Sequence, residues 1–112
     1  MTPYIQILVT VPDRDLAERL ADLLLDLKLV ACVQMIPCHS RYRWKRKIEQ
    51  AEEILCIMKS RQDLFPELCW RIRQEHPYNT PEIVSTPIMA GSEGYLDWLA
   101  IELRPVAREE LF

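Results

Sequence analysis

Residues 31 to 59 hold the feature that most restricts how this chain can fold: two long strand-like runs facing each other across Trp44-Lys45-Arg46-Lys47. With Lys45-Arg46 as a two-residue turn, Tyr42 lies opposite Glu49, Ile36 opposite Leu55 and Val33 opposite Met58. Apolar pairs then occupy the open end, and polar or aromatic residues meet charged ones near the tip. Each arm is about 14 residues, roughly 45 Å at the usual strand rise. A globule of this length is expected to be only about 35 Å across, from a radius of gyration of about 13 Å. The arms overshoot the domain that carries them. A two-stranded ribbon alone is marginal in water, so the outer half needs support, and the simplest support is another copy of the chain.

The rest of the pattern surrounds that ribbon with one domain spanning residues 1–112. Tyr4 to Val11 is β-branched-rich and bounded by Pro3 and Pro12, a strand. Asp13 suits a helix N-cap, and Leu16, Ala17, Leu20, Leu23, Leu24 and Leu27 follow on one helical face. After the ribbon, Ser60 and Asp63 resemble a capping box. Leu64, Phe65, Leu68, Cys69 and Ile72 continue at helical spacing, with Pro66 requiring a late start or a bend. His76-Pro77 ends that helix. Glu82 to Met89 reads as a strand that Pro87 confines to an edge or a bulge. Gly91-Ser92 opens a short last helix with Tyr95, Leu96, Trp98 and Leu99, and Arg104 to Phe112 reads as a loose or partner-docked tail.

The order β-α-β-β-α-β-α makes this an α+β chain whose first six elements match the ferredoxin-like motif, with an extended β-hairpin and a C-terminal helix. Both crossovers contain a helix, as parallel pairing requires. Two helices cover one face of the sheet. Ile5, Ile7 and Val9 point one way and Gln6, Leu8 and Thr10 the other, so the uncovered face is also partly apolar and calls for oligomerisation.

Composition narrows the functional classes. Hydrophobic residues make up 49% of the 112, enough for a core, and the formal net charge of -3 disfavours a nucleic-acid partner. No run reaches the 18 or so apolar residues of a membrane span. The N-terminus shows no charged-then-apolar signal pattern, and the four cysteines have no CxxC spacing, so reduced thiols in the cytoplasm are expected.

Several segments carry a family resemblance: Leu29-Val30-Ala31-Cys32-Val33, Ile36-Pro37, Ser40-x-Tyr42-x-Trp44, Lys47-Ile48-Glu49, Glu53, Lys59-Ser60-Arg61, His76-Pro77-Tyr78-x-x-Pro81-Glu82-Ile83, Pro87-Ile88 and Tyr95-Leu96-x-Trp98. Over residues 5 to 103 the chain closely resembles the CutA family of divalent-cation tolerance proteins. The resemblance implies a subunit related to the PII signalling proteins and a tight homotrimer whose hairpins cross into neighbouring subunits. It also implies a link to Cu(II) or another divalent ion. Arg46 stands where the family usually has glycine, which is awkward in a tight turn of positive φ and suggests a longer loop. Cys38 and His39 are features particular to this chain.

For soft metals, which favour thiolate and imidazole, the candidates are His76, Cys32 and Cys38. The family's copper proposal leans on the position of His76, helped by a thiolate and a second histidine, where this chain has Val9 and Glu75. Cys56 and Cys69 read as small core residues. Adjacent Cys38 and His39 point to opposite strand faces. A second constellation, Tyr42, Trp44, Lys47, Glu49, Lys59, Glu82, Tyr95 and Trp98, falls near inter-subunit clefts in the implied trimer, where PII proteins hold small anions or metabolites. Its bland alternative is packing anchors and interface ion pairs. The run Arg41 to Lys47 interleaves basic and aromatic residues, but the RNP1 signature is missing and alternation separates the arginines from Tyr42 and Trp44. No P-loop, GxGxxG, HExxH or GxSxG motif is present. His39 facing Glu52 is the nearest thing to an oriented base, so binding rather than turnover is expected.

Overall fold

Strict alternation in the first strand sets the two sides of the molecule. The structure, a computed structural model, describes residues 2–106. In β1 (Tyr4–Val11) Ile5, Ile7, Val9 and Val11 are buried, and the residues between them are half-buried. The buried side faces α1 (Arg14–Asp26), which Asp13 caps by accepting the Leu16 N–H at 2.8 Å, a contact worth about 1 kcal/mol. Leu16, Ala17, Leu20, Ala21 and Leu24 turn toward the sheet. The helix ends in a Schellman arrangement: Leu29 N–H donates to Leu24 O and Lys28 N–H to Leu25 O, with Lys28 at φ 58.

The ribbon is β2 (Cys32–Trp44) and β3 (Lys47–Arg61), paired without a break from Cys32↔Lys59 to Trp44↔Lys47. The body measures 49 × 27 × 26 Å with a radius of gyration of 15.1 Å, longer than its chain length demands, as the overshoot predicts. The turn does hold two residues. Lys45 (φ 48) and Arg46 (φ 69) both take left-handed backbone, so the longer loop expected from Arg46 does not form. Each such residue costs about 1 kcal/mol, and the continuous pairing behind the turn outweighs that.

Three more expectations change. The sheet order is β2-β3-β1-β4 with every neighbouring pair antiparallel. β1 and β2 run parallel but β3 lies between them, so the helical crossover spans a strand instead of making a parallel pair. Ser60 does not build a capping box. It is buried and donates to Leu29 O at 2.6 Å, while Asp63 pairs with Arg61. A 3-10 turn (Gln62–Leu64) leads into α2 (Phe65–Glu75), where Pro66 is tolerated in the first turn. The tail, third, begins anchored: Arg104 donates to Glu67 Oε1 and Leu27 O, and its own carbonyl accepts from Arg61. Residues 107–112 of that tail lie outside the described residues.

β4 (Ile83–Pro87) is an edge strand on β1, consistent with its proline. α3 (Glu93–Glu102) closes one end through Leu99, with Leu103 just beyond it. The core is therefore one-sided: Ile7, Val9, Cys56 and Met58 from the strands meet Leu20, Leu24, Leu68, Ile72 and Leu99 from the helices. On the open face, register lines up Leu8 with Ile57 and Val84, and Ile36 with Leu55. Ile36 and Val84 are exposed by 44% and 46%.

Candidate functional site

The covered sheet stops at Val11↔Ile54. The next β3 residue, Glu53, is where the ribbon leaves β1 behind, and it is 7% exposed. Its position is fixed from the end of α2. His76 stops that helix with extended backbone. Its Nε2–H donates to Thr10 O at 2.7 Å, and its Nδ1 accepts the Tyr78 N–H at 3.2 Å. The neutral ring carrying its proton on Nε2 satisfies both contacts. The Tyr78 ring lies 4.7 Å from the His76 ring, and its hydroxyl donates to Glu53 Oε2 at 3.2 Å. Thr10, His76, Tyr78 and Glu53 thus tie the end of β1 to the root of the outer ribbon. Burial, followed by the adjacent Glu53 charge, raises the Tyr78 phenol above its usual range, which keeps it a donor.

Thr10, Glu53 and Tyr78 border a half-open cavity of about 630 Å³. Tyr42 and Trp44 form its ribbon side; Asn79, Thr80 and Glu82 come from the loop before β4. His39 and Arg41 reach it from the other strand face. His39 Nδ1 lies 2.5 Å from Glu52 Oε1, and its Nε2 lies 3.1 Å from Gln50 Oε1. The hydrogen bond to Glu52, then its charge, raises the His39 pKa above 6.5.

Of the eight-residue constellation, the structure gathers Tyr42, Trp44 and Glu82 at this cavity. Lys47 and Glu49 sit opposite Trp44 and Tyr42 on the same ribbon face. Lys59, Tyr95 and Trp98 are at the far end. Lys59 pairs with Cys32 and donates to Gln34. Tyr95 stacks near Trp98, with ring centroids 5.5 Å apart, and its phenol is raised by burial and by the neighbouring Cys32. Cys32 and Tyr42 are separated by roughly 30 Å of strand, so within one chain the constellation is two clusters.

The metal candidates are also dispersed. Cys32 and Cys38 share the open face about 20 Å apart, Cys38 Sγ lies 3.8 Å from Ser40 Oγ, and both nitrogens of His76 are engaged. Among the described residues, no three His, Cys, Asp or Glu side chains form a metal-holding group. The described residues of one chain therefore offer no assembled set of ligands for a resident metal ion. Cys56 is buried, and burial pushes its thiol up to about 11.

Glu53 and Tyr78 are the site residues that sequence reasoning passed over. A carboxylate directly before the apolar run Ile54-Leu55-Cys56-Ile57-Met58 was the available signal. Linking it to Tyr78 required knowing where β1 stops.

A ferredoxin-like α+β subunit with a ribbon too long for its own body, and an aromatic, acid-bearing cavity at the ribbon's root, is the class that fold and site define. The model of the CutA1 divalent ion tolerance protein family matches residues 5–102, and the chain belongs to that family. It is 40% identical to the divalent-cation tolerance protein CutA of Thermus thermophilus over 94 residues, 83% of this chain and 91% of that one. It is also 40% identical to the chloroplastic protein CutA of Arabidopsis thaliana, over 87% of this chain and 54% of the relative. The solved structure of the periplasmic divalent cation tolerance protein CutA from Archaeoglobus fulgidus superposes with a TM-score of 0.88 at 38% identity, covering 90% of this chain and 99% of that one. Among the described residues no helix is long and apolar enough to cross a membrane.

Proposed function

We propose that the protein serves divalent-cation tolerance as a homotrimeric, cytosolic binding protein that turns nothing over, and that Cu(II) or another divalent ion is taken up where subunits meet. The observation that carries this reading is the apolar open face of Leu8, Ile36, Leu55, Ile57 and Val84, continuous with the outer ribbon. Covering such a face is worth about 25 cal/mol per Å², and neighbouring copies supply the cover. Cys32 and Cys38 lie on that face, so assembly brings thiols of different copies toward each other, and soft metals prefer thiolate ligands. The same assembly would let Lys59, Tyr95 and Trp98 of one copy complete a cleft with Tyr42, Trp44, Lys47, Glu49 and Glu82 of another. Four free cysteines suit a reducing compartment, and the names of the relatives support the cation role.

Native mass spectrometry at low micromolar concentration, with and without Cu(II), tests this. The expected particle is three 13.2 kDa chains with saturable copper uptake that survives His76→Ala and falls in Cys32→Ser or Cys38→Ser. A folded single-chain particle overturns the assembly, and uptake lost only in His76→Ala overturns the thiol assignment. A second reading, a PII-like sensor of a small ligand, is favoured by the cavity at the ribbon root.

A further inference from the structure

The basic run at the ribbon tip has no use in the cation reading. Residues 41–47 hold five of the 14 basic residues and none of the 17 acidic ones, so the rest of the chain has nine basic against 17 acidic residues, a charge of -8. Every residue of the run is exposed, and among the described residues no ion pair includes any of them. The nearest ribbon acids are placed elsewhere: Glu52 pairs with His39, and Glu49 lies opposite Tyr42 on the open face. Arg41 and Arg43 lie opposite Gln50 and Ile48 on the other face, which continues the helix-covered side of the sheet past the helices. The subunit cover proposed above lies on the open face.

The apex also carries a cost. Lys45 (φ 48) and Arg46 (φ 69) each lose about 1 kcal/mol to left-handed backbone, and cations this close repel one another. Glycine at either position would keep the strand pairing behind the turn without those penalties. Strain held at a cationic apex points to an anionic partner. Charge density selects that partner. Arg41, Arg43, Lys45 and Arg46 fall within about four strand rises, roughly 13 Å, so one cation stands at about every 3 Å. A phosphate chain matches that density, with one charge per about 3.4 Å in a nucleic-acid strand. An extended acidic peptide presents a carboxylate to one side only at every second residue, about 7 Å apart. Arginine forks also fit phosphate oxygens in pairs. The arginine face carries no Trp, Tyr or Phe on which a base could stack, and the acidic remainder of the chain repels a long polyanion lying across the body.

We propose that the ribbon tip binds linear inorganic polyphosphate through Arg41, Arg43, Lys45 and Arg46. No part of this depends on Cu(II) uptake, so the proposal and the cation reading fail separately. Calorimetric titration of the full chain with long-chain polyphosphate, and in parallel with oligothymidylate and polyglutamate, tests it. The expected result is saturable polyphosphate binding with Kd below about 100 µM at low salt, weakening steeply as salt rises. The double variant Arg41→Gln with Arg43→Gln is expected to weaken binding about tenfold and to flatten its salt dependence. Arg19→Gln, on the exposed face of α1, is expected to leave binding unchanged. Arg46→Gly is expected to raise stability and still weaken binding severalfold, which separates lost charge from lost fold. Polyphosphate affinity unchanged in the double variant overturns the site. Equal binding of polyglutamate overturns the phosphate assignment, and tighter, Trp44-dependent binding of oligothymidylate makes the partner a nucleic acid instead. If sedimentation without polyphosphate shows the double variant dissociating the assembly, the tip charges belong to a subunit contact and the proposal falls.

Discussion

The inner and outer halves of the ribbon share one register and differ in almost everything else. From Cys32↔Lys59 to Pro37↔Ile54, β3 also pairs with β1, and the helices bury Cys56 and Met58 completely. From Cys38↔Glu53 to Trp44↔Lys47 the two strands pair with no third strand among the described residues, and Ile48 is 56% exposed. The inner half is held by hydrophobic burial. The outer half is held by backbone pairing and cross-strand polar contacts, which are weak in water. Identical pairing geometry thus produces a rigid wall at one end and an arm available for contacts at the other.

Truncating one residue in each half is the strongest way to break that contrast. Met58→Ala is expected to cost about 2–5 kcal/mol and Ile48→Ala under about 0.5 kcal/mol in denaturant unfolding at concentrations where the chain is monomeric. A cost for Ile48→Ala that climbs with protein concentration marks the outer arm as buried in the assembly; equal costs at all concentrations erase the contrast. Next in size, Arg46→Gly is expected to stabilise the tip by about 0.5–1 kcal/mol, because glycine takes φ 69 without the side-chain penalty. An unchanged or lowered midpoint would show that the Arg46 side chain contributes more than its backbone costs. The smallest effect concerns pH. Contact with Glu52 raises the folded-state pKa of His39 above 6.5. The ion pair therefore contributes fully below the unfolded pKa and is lost as pH rises through the folded one. Hydrogen exchange across Cys38–Glu53, corrected for intrinsic rates, should show looser pairing at about pH 8 than at about pH 6, and the difference should vanish in His39→Asn.

The register of the whole ribbon was legible in the sequence because alternation with period two, apolar at the open end and polar or aromatic near the tip, carries register directly. Tyr42↔Glu49, Ile36↔Leu55 and Val33↔Met58 are all observed. The edge character of β4 and the late start at Pro66 were legible for the same kind of reason, one residue with one backbone constraint. Ser60 misled because a serine three residues before an acid has two outlets, and the nearby Leu29 carbonyl took the hydroxyl. The site was legible only in pieces. Tyr42, Trp44 and Glu82 were singled out, but Glu53 and Tyr78 meet only through His76 and Thr10, contacts between distant parts of the chain that no local pattern encodes.

Cys56 lies at the centre of the wall, fully enclosed, and burial pushes its thiol pKa up to about 11. At neutral pH such a sulfur reacts with a maleimide or disulfide reagent only while the surrounding strands are apart. The chain therefore carries its own stopwatch: the rate at which this one sulfur is modified, with the three more accessible thiols already blocked, reports how often the heart of the sheet comes open.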